Sequence, residues 1–294
     1  MPAFSASVTA WRERGRMFTL CGREVFVLDA GLPASETVLL LHGFPTSSHD
    51  FHRVLPMLGA ERRVVTLDLP GFGFSEKPAE YSYSLFEQAD IVTLALRELG
   101  VTSCHVVAHD MGTSVATELL ARRERGLLPF DVRSLVLSNG SVHIELAHLT
   151  PSQKLLRTRL GPLVARHGSG RVFKTQMRRI VGKPLADADL DDMWALLRHR
   201  DGQRRLPLSI SYIAERHRFW HRWIGALERL DLATLVLWGP LDTVAVPAIA
   251  TRLAAEIPGA RLEWLDGLGH YPHLEDPGVF AAALKRFLDG GRRA

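Results

Sequence analysis

Two aspartates and a histidine, Asp110, Asp242 and His270, are the residues of this 294-residue chain whose types and settings invite chemistry. Asp110 lies in "VVAHDMGTSV", where an apolar run meets the start of a helical pattern. A carboxylate there has three readings. It is a nucleophile, the relic of a lost site, or the cap of the helix it opens, since aspartate is favoured at that position and suits the helix dipole. Asp242, in "WGPLDTVAVP", either starts a turn or orients a base. His270, in "GLGHYPHLEDP", is either an exposed loop imidazole or that base. A carboxylate, an imidazole and a second carboxylate brought together are equipped for nucleophilic catalysis with proton transfer. Two glycine-bearing turns accompany them, His42-Gly43-Phe44-Pro45 and "DLPGFGFSEKP" at 68–78. The second lacks the G-x-G-x-x-G and G-K-[ST] patterns that cradle phosphates and reads as an ordinary loop.

Each of these residues follows a strand pattern. "MFTLCG" and "EVFVLDAG" (17–31) predict a hairpin. "TVLLLHG" (37–43) is a fully apolar run ending in a turn, as a central parallel strand should be. "SSHDFHRVLPMLG" predicts a helix, "RVVTLDLPG" (63–71) a strand, and "SLFEQADIVTLALRELG" (84–100) a helix stopped by glycine. "SCHVVAHD" and "VRSLVLSNG" (132–140) are strands flanking the helix that Asp110 opens. Residues 141–230 contain no clear buried strand and carry helical spacing rich in Leu, Arg, His and Trp. Alternation then resumes with "ATLVLWG" (233–239), "PAIATRLAAEIPG", "ARLEWLDG" and "PGVFAAALKRFLDG". Repeated strand–helix units predict an α/β fold, a mostly parallel doubly wound sheet with helices on both faces. The expected division is a core of 1–140 and 231–294 with a helical cap at 141–230. Ligands of such sheets gather beyond the carboxyl ends of the strands, so these distant residues should converge there.

Composition excludes several classes. Hydrophobic residues make up 46% and charged residues 23%, ordinary for a globular protein. The formal charge is +4 and the pI about 9.3, yet only five of the 36 basic residues are lysines. The arginines are scattered, with Arg122-Arg123, Arg178-Arg179 and Arg204-Arg205 as pairs, and read as a solvated surface with ion pairs. A nucleic-acid site would need them clustered with aromatics on a recognisable module. Cys21 and Cys104 sit in strand-like contexts and are expected to be buried free thiols, too few for a disulfide framework or a four-ligand metal site. The N-terminus lacks a basic start followed by an apolar stretch, and no apolar run approaches membrane-spanning length. The expectation is a cytoplasmic enzyme with no cofactor, no metal, no nucleic acid and no membrane span, acting as a monomer or homodimer.

The ordered set of strand-end motifs resembles the α/β-hydrolase superfamily over nearly the whole chain, in its aspartate-nucleophile branch of epoxide hydrolases and haloalkane dehalogenases. H-G-F-P is similar to the epoxide-hydrolase oxyanion loop. "LSNG", "DMWALLRHRDG", "HRWIGAL" and "GPLD" look like mesoderm-specific transcript-like proteins. The family order of nucleophile, acid and histidine falls on Asp110, Asp242 and His270. Ala108 replaces the glycine usual before the nucleophile. The resemblance implies oxyanion donors at the main-chain N–H groups of Phe44 and Met111, and a ring-opening tyrosine at Tyr212. It also implies a second tyrosine that the sequence does not reveal; His143, His148 and His167 are stand-in candidates. His42, Trp194 and Trp220 are expected at the substrate, a small apolar organic molecule; for His42 the alternatives are holding its loop by hydrogen bonds or simple packing.

An aspartate suits displacement at an alkyl carbon, because attack on an acyl carbon would yield a labile anhydride. The expected reaction is epoxide opening to a diol through an Asp110 ester, hydrolysed by water that His270 activates with Asp242. Dehalogenases of the branch place a tryptophan after the nucleophile; Met111 and Phe44 offer no such side-chain donor for halide. Haloalkane dehalogenase, ester or lactone hydrolase, and a non-catalytic ligand-binding homologue are the alternatives.

Overall fold

The computed structural model describes residues 4–33 and 36–290. Eight strands form one sheet: β1 (Arg16–Leu20), β2 (Arg23–Gly31), β3 (Thr37–Leu41), β4 (Arg63–Leu67), β5 (Ser103–His109), β6 (Asp131–Ser138), β7 (Ala233–Trp238) and β8 (Arg261–Trp264). Their spatial order is β1-β2-β4-β3-β5-β6-β7-β8. β1 and β2 form the predicted antiparallel hairpin, β2 pairs antiparallel with β4, and the remaining neighbours are parallel. β3 is buried along its whole length, which is why it reads as an unbroken apolar run rather than an alternating one. The register of the central strands aligns their ends. Leu41 of β3 lies opposite Ala108 of β5, and His109 of β5 lies opposite Ser138 of β6. The residues just after these strands, at 42–44, 110 and 139, therefore stand side by side.

Between β6 and β7 the described chain is helical. The longest helix of this insert, Tyr212–Glu228, lies along the helix Met111–Arg123. A buried carboxylate joins the two. Glu118 accepts from Arg222 Nε at 2.6 Å and Trp223 Nε1 at 3.0 Å on the insert, and from Arg122 Nε at 2.9 Å on its own helix. A second tie is the buried ammonium of Lys77, which donates to the Gly73 carbonyl in the core and to the His199 carbonyl of the insert at 2.7 Å. Burial, aided by the charge of Arg200, holds this lysine down to about 7, with Asp68 opposing the fall.

Two expectations need correction, and one element was not anticipated. "SSHDFHRVLPMLG" is not one helix but a 3-10 turn, Ser48–Phe51, and a short helix, Val54–Gly59. The Asp68 carboxylate pulls Ser48 out of line by accepting from both its backbone N–H at 2.8 Å and its hydroxyl at 2.6 Å. Cys21 is exposed in the β1–β2 turn with φ 49°, whereas Cys104 is buried as expected. The N-terminal segment forms a helix, Ala6–Arg14, capped by the Ser5 hydroxyl and anchored by buried Val8 and Trp11.

Candidate active site

Asp110 stands at the sharp turn from β5 into the helix Met111–Arg123, with φ 46° and ψ −115°. A non-glycine residue held there stores backbone strain, and such strain collects at functional sites. The turn survives because its surroundings over-determine it. Asp110 N–H donates to the Ser138 carbonyl at 3.2 Å, and the Asp110 carbonyl accepts from Thr113 N–H at 3.1 Å and the Thr113 hydroxyl at 2.6 Å. Gly112 is obligatory for the approach of the helix to β3, since a Cβ there would lie 2.5 Å from the Leu41 carbonyl oxygen. Ala108 is wholly buried in β5 and the turn forms without the usual glycine.

The helix-cap reading of Asp110 fails. It occupies the N-cap position, yet its side chain makes no capping hydrogen bond. Its Oδ2 accepts instead from the Phe44 backbone N–H at 3.0 Å, across from β3. Gly43 leaves room for this approach; a Cβ on it would sit 2.5 Å from Asp110 Cβ. Met111 follows in the first helical turn, where backbone N–H groups lack intrahelical acceptors.

His270 and Asp242 meet as the sequence suggests. His270 Nδ1 donates to Asp242 Oδ2 at 2.7 Å, with both side chains buried. Burial alone would lower the imidazole, but the charge and hydrogen bond of Asp242, with the charge of Asp110, outweigh it and raise His270 from 6.5 to about 9. Asp242 is itself fully subscribed. Its Oδ1 accepts from the N–H groups of Val244 at 2.7 Å and Ala245 at 3.0 Å, and its Oδ2 accepts also from Asn139 Nδ2 at 2.9 Å. His109 donates from Nε2 to the His270 carbonyl at 2.7 Å and is kept neutral by burial, at about 3. One carboxylate, Glu275, gathers the loop: it accepts from the N–H groups of Gly269 at 2.8 Å and Tyr271 at 2.9 Å, and from Gly182 and Lys183 of the insert at 2.8 Å each.

Asp110, His270 and Tyr271 line one inner cavity of about 60 Å³ together with Phe44, Gln153 and Gln176. Phe44, Gln153, Phe173 and Gln176 also line an outer, apolar cavity of about 320 Å³, which extends to Leu155, Val172 and Trp194. The insert thus roofs the strand ends.

The other sequence candidates fall as follows. Trp194 lines the outer cavity and packs on Phe173 with ring centroids 5.4 Å apart. His42 is absent from both linings: its Nε2 accepts from the Leu69 N–H at 3.0 Å, so Nδ1 carries the proton toward the Gly43 carbonyl at 2.9 Å. It holds the 42–45 loop rather than substrate. Trp220 is 47% exposed, stacks on His221 and lies in a separate surface cleft with His143 and Glu256. Its helical spacing put it on the outer side of its helix. Tyr212 is buried against Phe44, ring centroids 5.6 Å apart, and bonds Gln153 of the inner lining; burial first, then the Asp110 charge, raise its hydroxyl well above 10. Of the stand-in histidines, His143 is clamped between Glu145 at 2.9 Å and Glu256 at 2.6 Å, while His148 and His167 are exposed. Tyr271 lines the same cavity as Asp110. Its hydroxyl bonds Thr46, and burial above all raises it far above 10.

Sequence reading also passed over Asn139 and Arg216. Asn139 supplies no acid, but at φ 44° it bridges Asp242 to Gly239, accepting from Gly239 N–H at 3.0 Å. Asparagine tolerates the left-handed region better than most residues, and that was the available signal. Arg216 is wholly buried beneath the turn. It donates from Nη2 to the Asp110 carbonyl at 3.2 Å and from Nε to Ser114 Oγ at 2.6 Å, with its guanidinium 4.6 Å from the Tyr212 ring. Nothing in its helical spacing distinguishes it. Among the described residues no cluster of histidine, cysteine, aspartate and glutamate is arranged for a metal ion, and no helix is long and apolar enough to cross a membrane.

Comparison with known proteins matches this architecture. LipZ of Mycobacterium tuberculosis is 43% identical over 294 residues, covering 97% of this chain and 99% of its own. The mesoderm-specific transcript homolog protein of Bos taurus is 37% identical over 301 residues, covering 98% of this chain and 90% of its own. The crystal structure of the haloalkane dehalogenase DbeA-M1 loop variant from Bradyrhizobium elkanii superposes with a TM-score of 0.81 at 21% identity, covering 95% of this chain and 97% of that one, a likeness of fold. The family model described as alpha/beta hydrolase fold matches residues 36–277, every strand from β3 to β8 and the whole site, and the chain belongs to that family.

Proposed function

We propose that this hydrolase opens an epoxide to a diol through a covalent ester on Asp110, with a core of 1–140 and 231–294 under a cap at 141–230. The observation that carries the reading is the uncapped Asp110 carboxylate, turned onto the Phe44 N–H in a cavity it shares with His270 and Tyr271. A carboxylate so placed attacks an epoxide carbon. The ring C–O bond breaks and its oxygen takes the proton of a tyrosine. Tyr271 is favoured for this by its place in the lining; Tyr212 reaches the same cavity through Gln153. Both hydroxyls stay protonated at neutral pH, as an acid must.

The resting imidazolium of His270, 5.0 Å from the Tyr271 ring between centroids, returns a proton to the tyrosinate and becomes neutral. Esterification removes the Asp110 charge, one of the causes that raise His270, and so favours that neutral form. His270 then takes a proton from water, and the hydroxide adds to the Asp110 carbonyl carbon. The oxyanion faces the Phe44 and Met111 N–H groups. Collapse breaks the bond to the alkyl oxygen, which leaves with the water's second proton as the diol. Asp110 is regenerated as a carboxylate and His270 as an imidazolium.

Halide release is the second reading, favoured by the amides of Gln153 and Gln176 in the inner lining. The test is mass spectrometry of His270→Gln protein after incubation with styrene oxide or 1-bromobutane. Ester hydrolysis should stall, leaving a styrene-oxide adduct on Asp110. An adduct from the bromide alone would transfer the assignment to dehalogenation, and no adduct from a broad panel of either class would refute the nucleophile. Tyr271→Phe and Tyr212→Phe compared in the same background identify which hydroxyl serves ring opening.

A further inference from the structure

The arginines of this chain are not uniformly spread once the fold is known. Eight of its 36 basic residues and none of its 32 acidic ones fall within residues 151–180, so the rest of the chain is net acidic. Two of the eight are neutralised from outside the segment, Lys174 by Asp191 and Arg178 by Asp187. Lys154, Arg157, Arg159, Arg166, Arg171 and Arg179 are exposed and form no ion pair among the described residues. Elsewhere acidic neighbours are at hand and pair with some of the arginines, as Arg23 with Glu76, Arg63 with Asp29 and Arg229 with Glu124.

The same segment exposes large apolar side chains. Leu155 is 40% exposed, Val172 55%, and Leu160 and Leu163 58% each. Leu155 and Val172 also line the outer cavity, so they mark its mouth. The helix Gly161–His167 turns Val164 and Ala165 inward to that cavity and leaves Leu163 and Arg166 outside. Exposed leucines interspersed along the segment with unpaired cations, and with no acidic residue between them, are the composition of a surface that inserts shallowly at a lipid headgroup boundary. Contiguous apolar surface of this kind is costly to leave in water.

We infer that the 151–180 face docks on an anionic phospholipid bilayer, setting the mouth of the apolar cavity against the membrane. The six cations meet lipid phosphates and the four apolar side chains enter the interface. An apolar substrate dissolved in the bilayer then passes into the outer cavity without crossing water. The docking stands apart from the chemistry assigned to Asp110, and its test reads binding alone.

The experiment is flotation of the full chain with vesicles of phosphatidylglycerol and phosphatidylcholine in equal parts, and with vesicles of phosphatidylcholine only. Binding is expected to the anionic vesicles, weakening with salt. With about 1 kcal/mol for each basic residue near the surface, Arg157→Glu, Arg159→Glu and Arg166→Glu combined should lower the partition coefficient by on the order of 100-fold or more. Leu160→Asp with Leu163→Asp should lower it at least roughly tenfold, by the apolar area withdrawn from the interface. All five side chains are exposed, and unchanged melting temperatures verify the folds; Leu163→Ser is the milder substitute. Arg133→Glu with Arg261→Glu, at the amino-terminal ends of β6 and β8 and so at the opposite edge of the sheet, should leave binding unchanged. Equal binding to neutral vesicles, no binding to either, or an equal loss from the Arg133 and Arg261 changes would overturn the inference. So would full binding by the leucine variant, which would assign the basic face to a soluble polyanion such as a nucleic acid or an acidic protein.

Discussion

Replacing Asp242 with Asn tests how the base is held. In the native protein the imidazole of His270 is raised from 6.5 to about 9. At about 1.4 kcal/mol per pH unit, that is about 3 kcal/mol of preference for the imidazolium in the folded state. A folded-state value above the unfolded one contributes stability that is complete below 6.5 and disappears as pH rises through about 9. The Asp242→Asn change would remove the charge and present an amide donor either to His270 and Asn139 or to the N–H groups of Val244 and Ala245. Burial would then act on the imidazole with only the more distant charges opposing it, and the titration should fall to 6.5 or below. The assays are a carbon-13 NMR titration of labelled histidine, with His270→Gln to assign the resonance, and urea unfolding at pH 6 and pH 10. The native protein should lose up to about 3 kcal/mol from this group across that range, and Asp242→Asn should flatten the dependence. A native His270 titrating near 6.5, or one unmoved by Asp242→Asn, would refute the coupling.

Asn139→Ala should cost about 2–4 kcal/mol in urea unfolding, from the lost buried hydrogen bonds to Asp242 and Gly239 and a left-handed backbone that alanine adopts poorly. It should also lower the His270 titration, because Asp242 loses its support. Gly43→Ala should lower the melting temperature and slow adduct formation on Asp110 by on the order of 100-fold, since a Cβ 2.5 Å from Asp110 Cβ must shift the turn that holds the carboxylate; native labelling kinetics in the folded variant would show that the carboxylate's present position does not matter. In the native protein, hydrolysis of the Asp110 ester should rise with pH to a midpoint below about 9, because the ester no longer carries the charge that helps raise His270; stopped-flow measurement of the decay would check it.

Much of this architecture was legible from local pattern. β3, β5, β6 and β7 are buried parallel strands, and burial on both faces forces a continuous apolar run that reads directly from the residues. Strand-end positions inherit a common location from the sheet, so His42-Gly43-Phe44, Asp110, Asp242 and His270 could be grouped without coordinates. What failed depended on direction. Helical spacing shows that Trp194, Trp220 and Arg216 lie on helices but not which way each points. One lines the cavity, one faces solvent and one lies beneath Asp110. The 48–59 segment has helical composition, and a carboxylate 20 residues away redirected its first turn.

The sequence alone determined the order of chemical groups along the chain and the strand–helix rhythm that brings them to one edge, because both are properties of residue type and period. Only the tertiary structure decided which groups touch. Asn139 gripping Asp242, Glu275 gathering the 269–271 loop, and Tyr271 sharing a cavity with Asp110 all depend on angles between elements. Those angles are set by packing among many residues at once, and no short stretch of sequence encodes them.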